Sequence, residues 1–218
     1  MTNSPAAEAA DLILKSGIVY TRTSGDPFFF SSGWASPVFV DIKRLISLPD
    51  ARSRLIELSL DIVDQQIGTN AYEQIAGCEL AGVPFAAMIA DRKNKPLVVA
   101  MKQGKGFGRL ARFEGTFEPG TRTLLMDDLT TDGRTKSSVQ RALQEAEADV
   151  VGIYVILDYK IFPGAPTITS LVTLADIIAA ASRGNYLAPS VMNELETFAN
   201  NAPQWSRRNG GIAETAMS

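Results

Sequence analysis

The chain has 218 residues, 45% hydrophobic and 21% charged, with one cysteine and no histidine, which excludes imidazole triads, histidine-ligated metals and any internal disulfide. A net charge of -3 argues against non-specific binding to nucleic acid, because phosphate backbone is held by a cationic surface. No apolar run approaches the roughly 18 residues of a membrane span and residues 1–10 lack the order of a secretion signal, so a soluble, cytoplasmic globular protein is expected. In chain order, Ala10, Ile13 and Leu14 share one face of a first helix that Gly17 ends. Between residues 18 and 40, β-branched and aromatic residues broken by Ser, Gly and Pro predict short strands, among them 28–31 and 38–42. Ser47 and Pro49 open a helix whose Leu55, Leu58, Ile62 and Val63 keep helical spacing up to Gly68. A strand at 74–77, a helix over 83–94 and a buried-type strand over 96–101 follow.

Residues 103–120 contain five glycines and a proline with no sustained period, and read as an exposed, flexible connection. Beyond them come a strand at 121–126, a helix over 135–148, a long apolar strand at 150–157 and a short strand near 168–172. Helices through 177–181 and 190–199 lead into a polar tail expected to fray. Strands apolar on both faces and separated by helices indicate an α/β fold with a mostly parallel sheet covered on both sides. The expected division is an N-terminal helix and hood over 1–45, an α/β core over 46–200 and a tail over 201–218.

One stretch concentrates chemistry: Leu124-Leu125-Met126-Asp127-Asp128-Leu129-Thr130-Thr131-Asp132-Gly133-Arg134-Thr135. An apolar strand runs into two carboxylates and then a Gly/Thr turn that opens a helix. Ligands of open α/β sheets bind at such strand ends. The turn suits an anion, since Gly133 permits close approach, Thr131 and Thr135 offer hydroxyls, and a helix N-terminus supplies free N–H groups. The aspartates would repel a bare phosphate, but they suit a sugar phosphate, accepting from ribose hydroxyls and offsetting an oxocarbenium-like centre. A divalent-metal site at the strand end, or a turn whose Gly and Thr serve only as caps, are the alternatives for the separate motifs.

The whole run resembles the phosphoribosyl pyrophosphate (PRPP) signature of the type I phosphoribosyltransferases, and other segments are similar to the orotate phosphoribosyltransferase family among them. Phe30-Ser31-Ser32-Gly33-Trp34-Ala35-Ser36-Pro37, with Asp41 and Lys43 following, resembles that family's N-terminal Ser-Gly-x-x-Ser-Pro segment. The segment from Ile75 to Pro84 is similar to its pyrophosphate loop, Met101 to Gly108 to its mobile catalytic loop, and Gly115 also matches. The resemblance implies the type I phosphoribosyltransferase fold and transfer of a phosphoribosyl group from PRPP to orotate. It implies that Lys105 acts on the leaving pyrophosphate, with Lys102 at the loop base. Asp127 and Asp128 would hold the ribose and its positive charge, and Thr131, Asp132, Gly133, Arg134 and Thr135 the 5′-phosphate. Glu79, Leu80 and Ala81 fall in the pyrophosphate loop, and Ser31 and Tyr159 at positions that face the base. Substrate-bound Mg²⁺, with no dedicated protein ligand, and a homodimer whose lid loop reaches the neighbouring subunit are also implied.

The chain departs from that family at several points. Ser31 stands where many members have lysine, Leu80-Ala81 where Tyr-Lys is frequent, Met101 where arginine is common, and Phe107 in place of the loop histidine. Tyr159 replaces the arginine that partners the orotate carboxylate, leaving Lys160 as the adjacent cation. A transferase for another base and a non-catalytic PRPP- or nucleotide-sensing regulator therefore stay open. Trp34 and Trp205 read first as packing residues, although Trp34 lies in a matching segment; Cys78 reads as a small buried apolar residue.

Overall fold

The computed structural model describes residues 4–104, 107–163 and 166–214. Ser4 caps α1 (Pro5–Lys15) by accepting from the Ala7 N–H, and Ala9, Ala10, Ile13 and Leu14 form its buried stripe. The hood follows as β1 (Val19–Thr21), β2 (Phe28–Phe29), β3 (Ala35–Ser36) and β4 (Val38–Val40), which pair antiparallel as β1–β4 and β2–β3. A 3₁₀ turn (Ile42–Ser47) leads to α2 (Pro49–Gln66), which has Pro49 in its first turn as the sequence anticipates.

The core continues with β5 (Gln74–Cys78), α3 (Gly82–Lys93), β6 (Leu97–Ala100), β7 (Phe113–Glu114), β8 (Arg122–Thr130), α4 (Arg134–Glu145) and β9 (Asp149–Asp158). It ends with β10 (Thr169–Thr173), α5 (Leu174–Gly184), α6 (Pro189–Asn200) and α7 (Ala202–Arg208). Six strands form one sheet in the order β10-β9-β8-β5-β6-β7, parallel except for the β6–β7 pair. Strand alternation assigns its two faces. Ile75, Leu124, Met126 and Tyr154 join the apolar cluster that contains buried residues of α1, α2, α3 and α5, whereas Ala76, Leu125 and Ile153 join the one built on Val139, Ala142 and Leu143 of α4. Among the described residues no helix is long and apolar enough to cross a membrane.

Two expectations need correction. The connection over 103–120 is not loop throughout: Phe113 and Glu114 pair with Ala100 and Val99, and Phe113 and Phe117 are buried against each other. Gly115 takes φ +99°, and a Cβ there would come within 3.1 Å of Val98 and 3.2 Å of the Leu97 carbonyl, so the turn after β7 requires glycine. The polar tail does not fray over its first half either. It forms α7, capped by the Asn201 side chain on the Gln204 N–H, and Trp205 packs edge-on against Phe198.

The fully buried Ser206 joins this tail to the hood. Its hydroxyl accepts from the Ala35 N–H at 3.0 Å and donates to the Ile212 carbonyl at 2.6 Å. The Ile212 N–H in turn donates to the Gly33 carbonyl at 3.0 Å. Ser206→Ala would strand the Ala35 N–H away from water and is expected to cost about 1–3 kcal/mol in denaturant unfolding. A frayed tail would give no change.

Candidate active site

The strand predicted at 121–126 continues to Thr130, so both aspartates lie within β8 rather than beyond it. Pairing with β5 reaches Gly77↔Met126, and pairing with β9 extends to Thr130↔Asp158. The carboxylates thus project from the carboxyl edge of the parallel sheet. Gly82, at the start of α3, packs directly on this point: a Cβ there would lie 2.7 Å from the Asp127 Cα and 2.6 Å from its Oδ1. No larger residue fits without displacing Asp127.

The pair is nearly enclosed, with Asp127 8% and Asp128 9% exposed. Lys136, one turn into α4, places Nζ 2.5 Å from Asp127 Oδ2, while Asp127 Oδ1 accepts from the Asp128 N–H at 2.9 Å. Burial, then the charge of Asp127, push the Asp128 carboxyl up to about 7, against the pull of Lys136 and the Leu129 N–H. Burial also raises Asp158 at the end of β9, although the Lys160 N–H donates to it at 2.8 Å. Cys78 is buried beneath them, and burial pushes its thiol well above the usual range, so it is an inert packing residue.

The turn after β8 is braced by its own aspartate. Asp132 Oδ2 accepts from Trp34 Nε1 at 3.1 Å and from Arg134 Nε at 2.8 Å, and Oδ1 accepts from the Arg134 N–H at 3.2 Å. Gly133, at φ +77°, is the N-cap of α4 and carries no side chain to cap it. Beyond the Arg134 N–H, the first-turn N–H groups of Thr135 and Lys136 are left to serve an anion. Glu79, on the other side, accepts from the Lys102 N–H at 2.7 Å and ties the end of β5 to that of β6; the Glu79–Leu80 peptide is cis.

A cavity of about 780 Å³ gathers most of the predicted site. Ser31, Glu79, Leu80, Ala81 and Lys102 line it, together with Asp127, Asp128, Thr131, Asp132, Gly133 and Thr135. Arg134 instead lines an adjoining cavity of about 500 Å³ and donates to the Ser32 carbonyl. Tyr159 does not reach either cavity. It is 1% exposed, and its hydroxyl meets the Val40 N–H at 3.2 Å and the Val38 carbonyl at 3.4 Å. Its large ring is held between the hood and the core, against Phe30 and Phe162, so its expected place at the base is corrected. Lys105 lies outside the described residues. Two loop arginines are occupied at its base: Arg109 donates to the carbonyls of Ala146 and Phe117, and Arg112 to those of Met101 and Lys102.

Sequence reasoning missed Lys136 and Arg22, both of which line the larger cavity. Lys136 carries a usable signal, because it stands three residues before Val139 and seven before Leu143, on the buried stripe of α4. Arg22 lies beyond the end of β1 with no such pattern.

No protein-family model matches the chain. Orotate phosphoribosyltransferase of Roseobacter denitrificans is 38% identical over 84% of this chain and 85% of its own length. The protein of that name from Rhizobium rhizogenes is 34% identical, covering 99% of this chain and 98% of its own. Among solved structures, orotate phosphoribosyltransferase from Aeropyrum pernix superposes with a TM-score of 0.67 at 26% identity, over 82% of this chain and 99% of that one.

The raised Asp128 sets a sign for stability. The folded chain holds this proton more tightly than an unfolded one, whose carboxyl titrates near 3.8. Stability therefore falls as pH rises from about 4 to about 7 and levels off above. Asp128→Asn is expected to remove this slope, melting with the wild type near pH 4 and being more stable at pH 8 by on the order of 2–4 kcal/mol. Parallel melting curves across that range would refute it.

Proposed function

The chain belongs to the orotate phosphoribosyltransferase family, and from that premise we propose that it transfers the 5-phosphoribosyl group of PRPP to orotate, a step of pyrimidine biosynthesis. The products are orotidine 5′-phosphate and pyrophosphate. One observation carries the reading: a single cavity holds a buried carboxylate pair at the end of β8 and the uncapped first turn of α4 beside it.

The turn from Thr131 to Thr135 takes the 5′-phosphate through N–H and hydroxyl groups. Asp127 and Asp128 accept from the ribose hydroxyls. As the bond from C1′ to the pyrophosphate oxygen breaks, their negative charge offsets the oxocarbenium character of the sugar. The bond from C1′ to the orotate ring nitrogen forms as the other breaks. As C1′ bonds to it, that nitrogen gives up its proton to the departing pyrophosphate or to water, so the step needs little general-base help from the chain. Lys102 borders the pyrophosphate side of the cavity, and Lys105 meets the leaving group in the role that the family resemblance implies.

Mg²⁺ bound to the substrate would neutralise the pyrophosphate and favour its departure. Among the described residues no three Asp, Glu or Cys side chains are gathered to hold a metal. The donor set fits an ion held mainly by substrate oxygens, with Asp127 and Asp128 as its neighbouring carboxylates. A cytoplasmic homodimer that shares its lid loops between subunits belongs to the same proposal. The burial of Tyr159 favours a transferase for another base as the second reading, which a panel of purines and pyrimidines would separate.

The direct test mixes protein, orotate, PRPP and Mg²⁺ and follows the loss of orotate absorbance; no turnover by a folded protein would sink the proposal. Lys105→Ala is expected to lower kcat by about 10²-fold or more. If the lid acts across subunits, mixing inactive Lys105→Ala and Asp128→Asn chains should restore about a quarter of wild-type activity, through hybrids with one intact site. Absence of recovery, with subunits shown to exchange, would place the lid in its own subunit.

A further inference from the structure

The burial of Tyr159 leaves an orotate carboxylate without the partner its family position would supply, and the hood end of the cavity offers one. We propose that Arg22 is the specificity-determining residue that receives this carboxylate. The assignment rests on orotate being the acceptor, as proposed above.

The placement follows from strand pairing. The Arg22 N–H donates to the Pro37 carbonyl at 2.8 Å, which continues the β1–β4 ladder by one step beyond Thr21↔Val38. Arg22 is two residues from Tyr20, whose partner is Phe39, so these three side chains share one face of the hairpin. Phe28 packs against Phe39 with ring centroids 5.8 Å apart, and the Arg22 guanidinium lies 4.4 Å from the Phe28 centroid. Arg22, Phe28 and Phe39 all line the large cavity and not the adjoining one. A flat ring thus meets an aromatic shelf there, with a planar cation at its edge.

Of the three other cations around this cavity, two are ion-paired, and one of these, Lys43, also lies 5.5 Å from the Phe39 centroid. Lys136 is buried on Asp127, and Lys43 Nζ lies 2.7 Å from Asp41. Lys102 borders both cavities, at the end shared with Thr131 and Thr135. No ion pair among the described residues involves Arg22. With the guanidinium against the Phe28 ring and no ion pair to hold it, its planar N–H fork is the donor set that matches both oxygens of a carboxylate.

Steady-state kinetics of Arg22→Gln and Arg22→Lys test the assignment. Arg22→Gln should raise the KM for orotate by about 10- to 100-fold and leave the KM for PRPP within about twofold. Arg22→Lys should fall between, because a point charge keeps attraction but loses the fork. Uracil, which lacks the carboxylate, should inhibit wild type and Arg22→Gln equally when it competes with orotate. An unchanged orotate KM in an active Arg22→Gln enzyme would overturn the assignment, as would equal rises in both KM values, the mark of a structural role. A wild-type chain that turns over PRPP with another base but not with orotate would refute the acceptor itself, and is told apart by that result.

Discussion

The contact between Lys136 and Asp127 is buried at both ends, and such a pair seldom stabilises a fold more than apolar packing would. Its consequence is electrostatic. Two adjacent carboxylates enclosed at a strand end share one cation, so the cluster keeps an unneutralised carboxyl whose proton is lost only near neutrality. A second lysine would quench the site; without Lys136, two enclosed carboxylates would repel each other unopposed. One cation leaves room for hydroxyl donors and a sugar centre of growing positive charge. Gly82 belongs to the same constraint, since only a residue without a side chain lets α3 approach Asp127 this closely.

The phosphate turn solves an opposite problem. An aspartate beside an anion site should repel its ligand, yet Asp132 sits within the turn. Its charge is spent internally on the Arg134 guanidinium, the Arg134 N–H and the Trp34 indole. Trp34 belongs to the hood, 98 residues away in sequence, and Arg134 reaches back to the Ser32 carbonyl. The hood is therefore fastened to the turn from both sides. Ser206 and Ile212 hold the neighbouring Gly33–Ala35 backbone, so the C-terminal segment contributes through the hood to the rigidity of the turn.

Most elements were legible because their burial is periodic: α2, α3 and the apolar parallel strands follow the expected pattern to within a few residues. The motif around Asp127 and Asp128 was equally plain, since contiguous residues at a strand end need no tertiary knowledge to be placed together. The misses share a cause. The strand β7 has only two residues and takes its stability from pairing with β6, and α7 is a seven-residue helix stabilised by Phe198 and the hood. Neither is long enough to display a period. Tyr159 occupies the family position of an arginine, but a hydroxyl within reach of Val38 and Val40 and a large ring make burial the better outcome. Alignment fixes where a backbone runs, and side-chain chemistry decides which way the residue serves.

The missing histidine sharpens what pH can do here. Near-neutral titration in transferases is commonly assigned to imidazole, and this chain has none. Asp128, at about 7, is the cavity carboxyl placed to titrate in that range. Its ionised form is the one that accepts from ribose and offsets positive charge, so a protonated Asp128 would bind PRPP poorly. Asp128 should therefore give kcat/KM for PRPP an acid limb, falling tenfold per unit of pH well below about 7 once the substrate's own ionisation is subtracted. Substrate binding draws the carboxyl towards its charged form, which moves the limb in kcat to lower pH than the limb in kcat/KM. A limb at the same pH in both would mean that Asp128 never meets the ribose, and the charge imbalance at β8 would need another purpose.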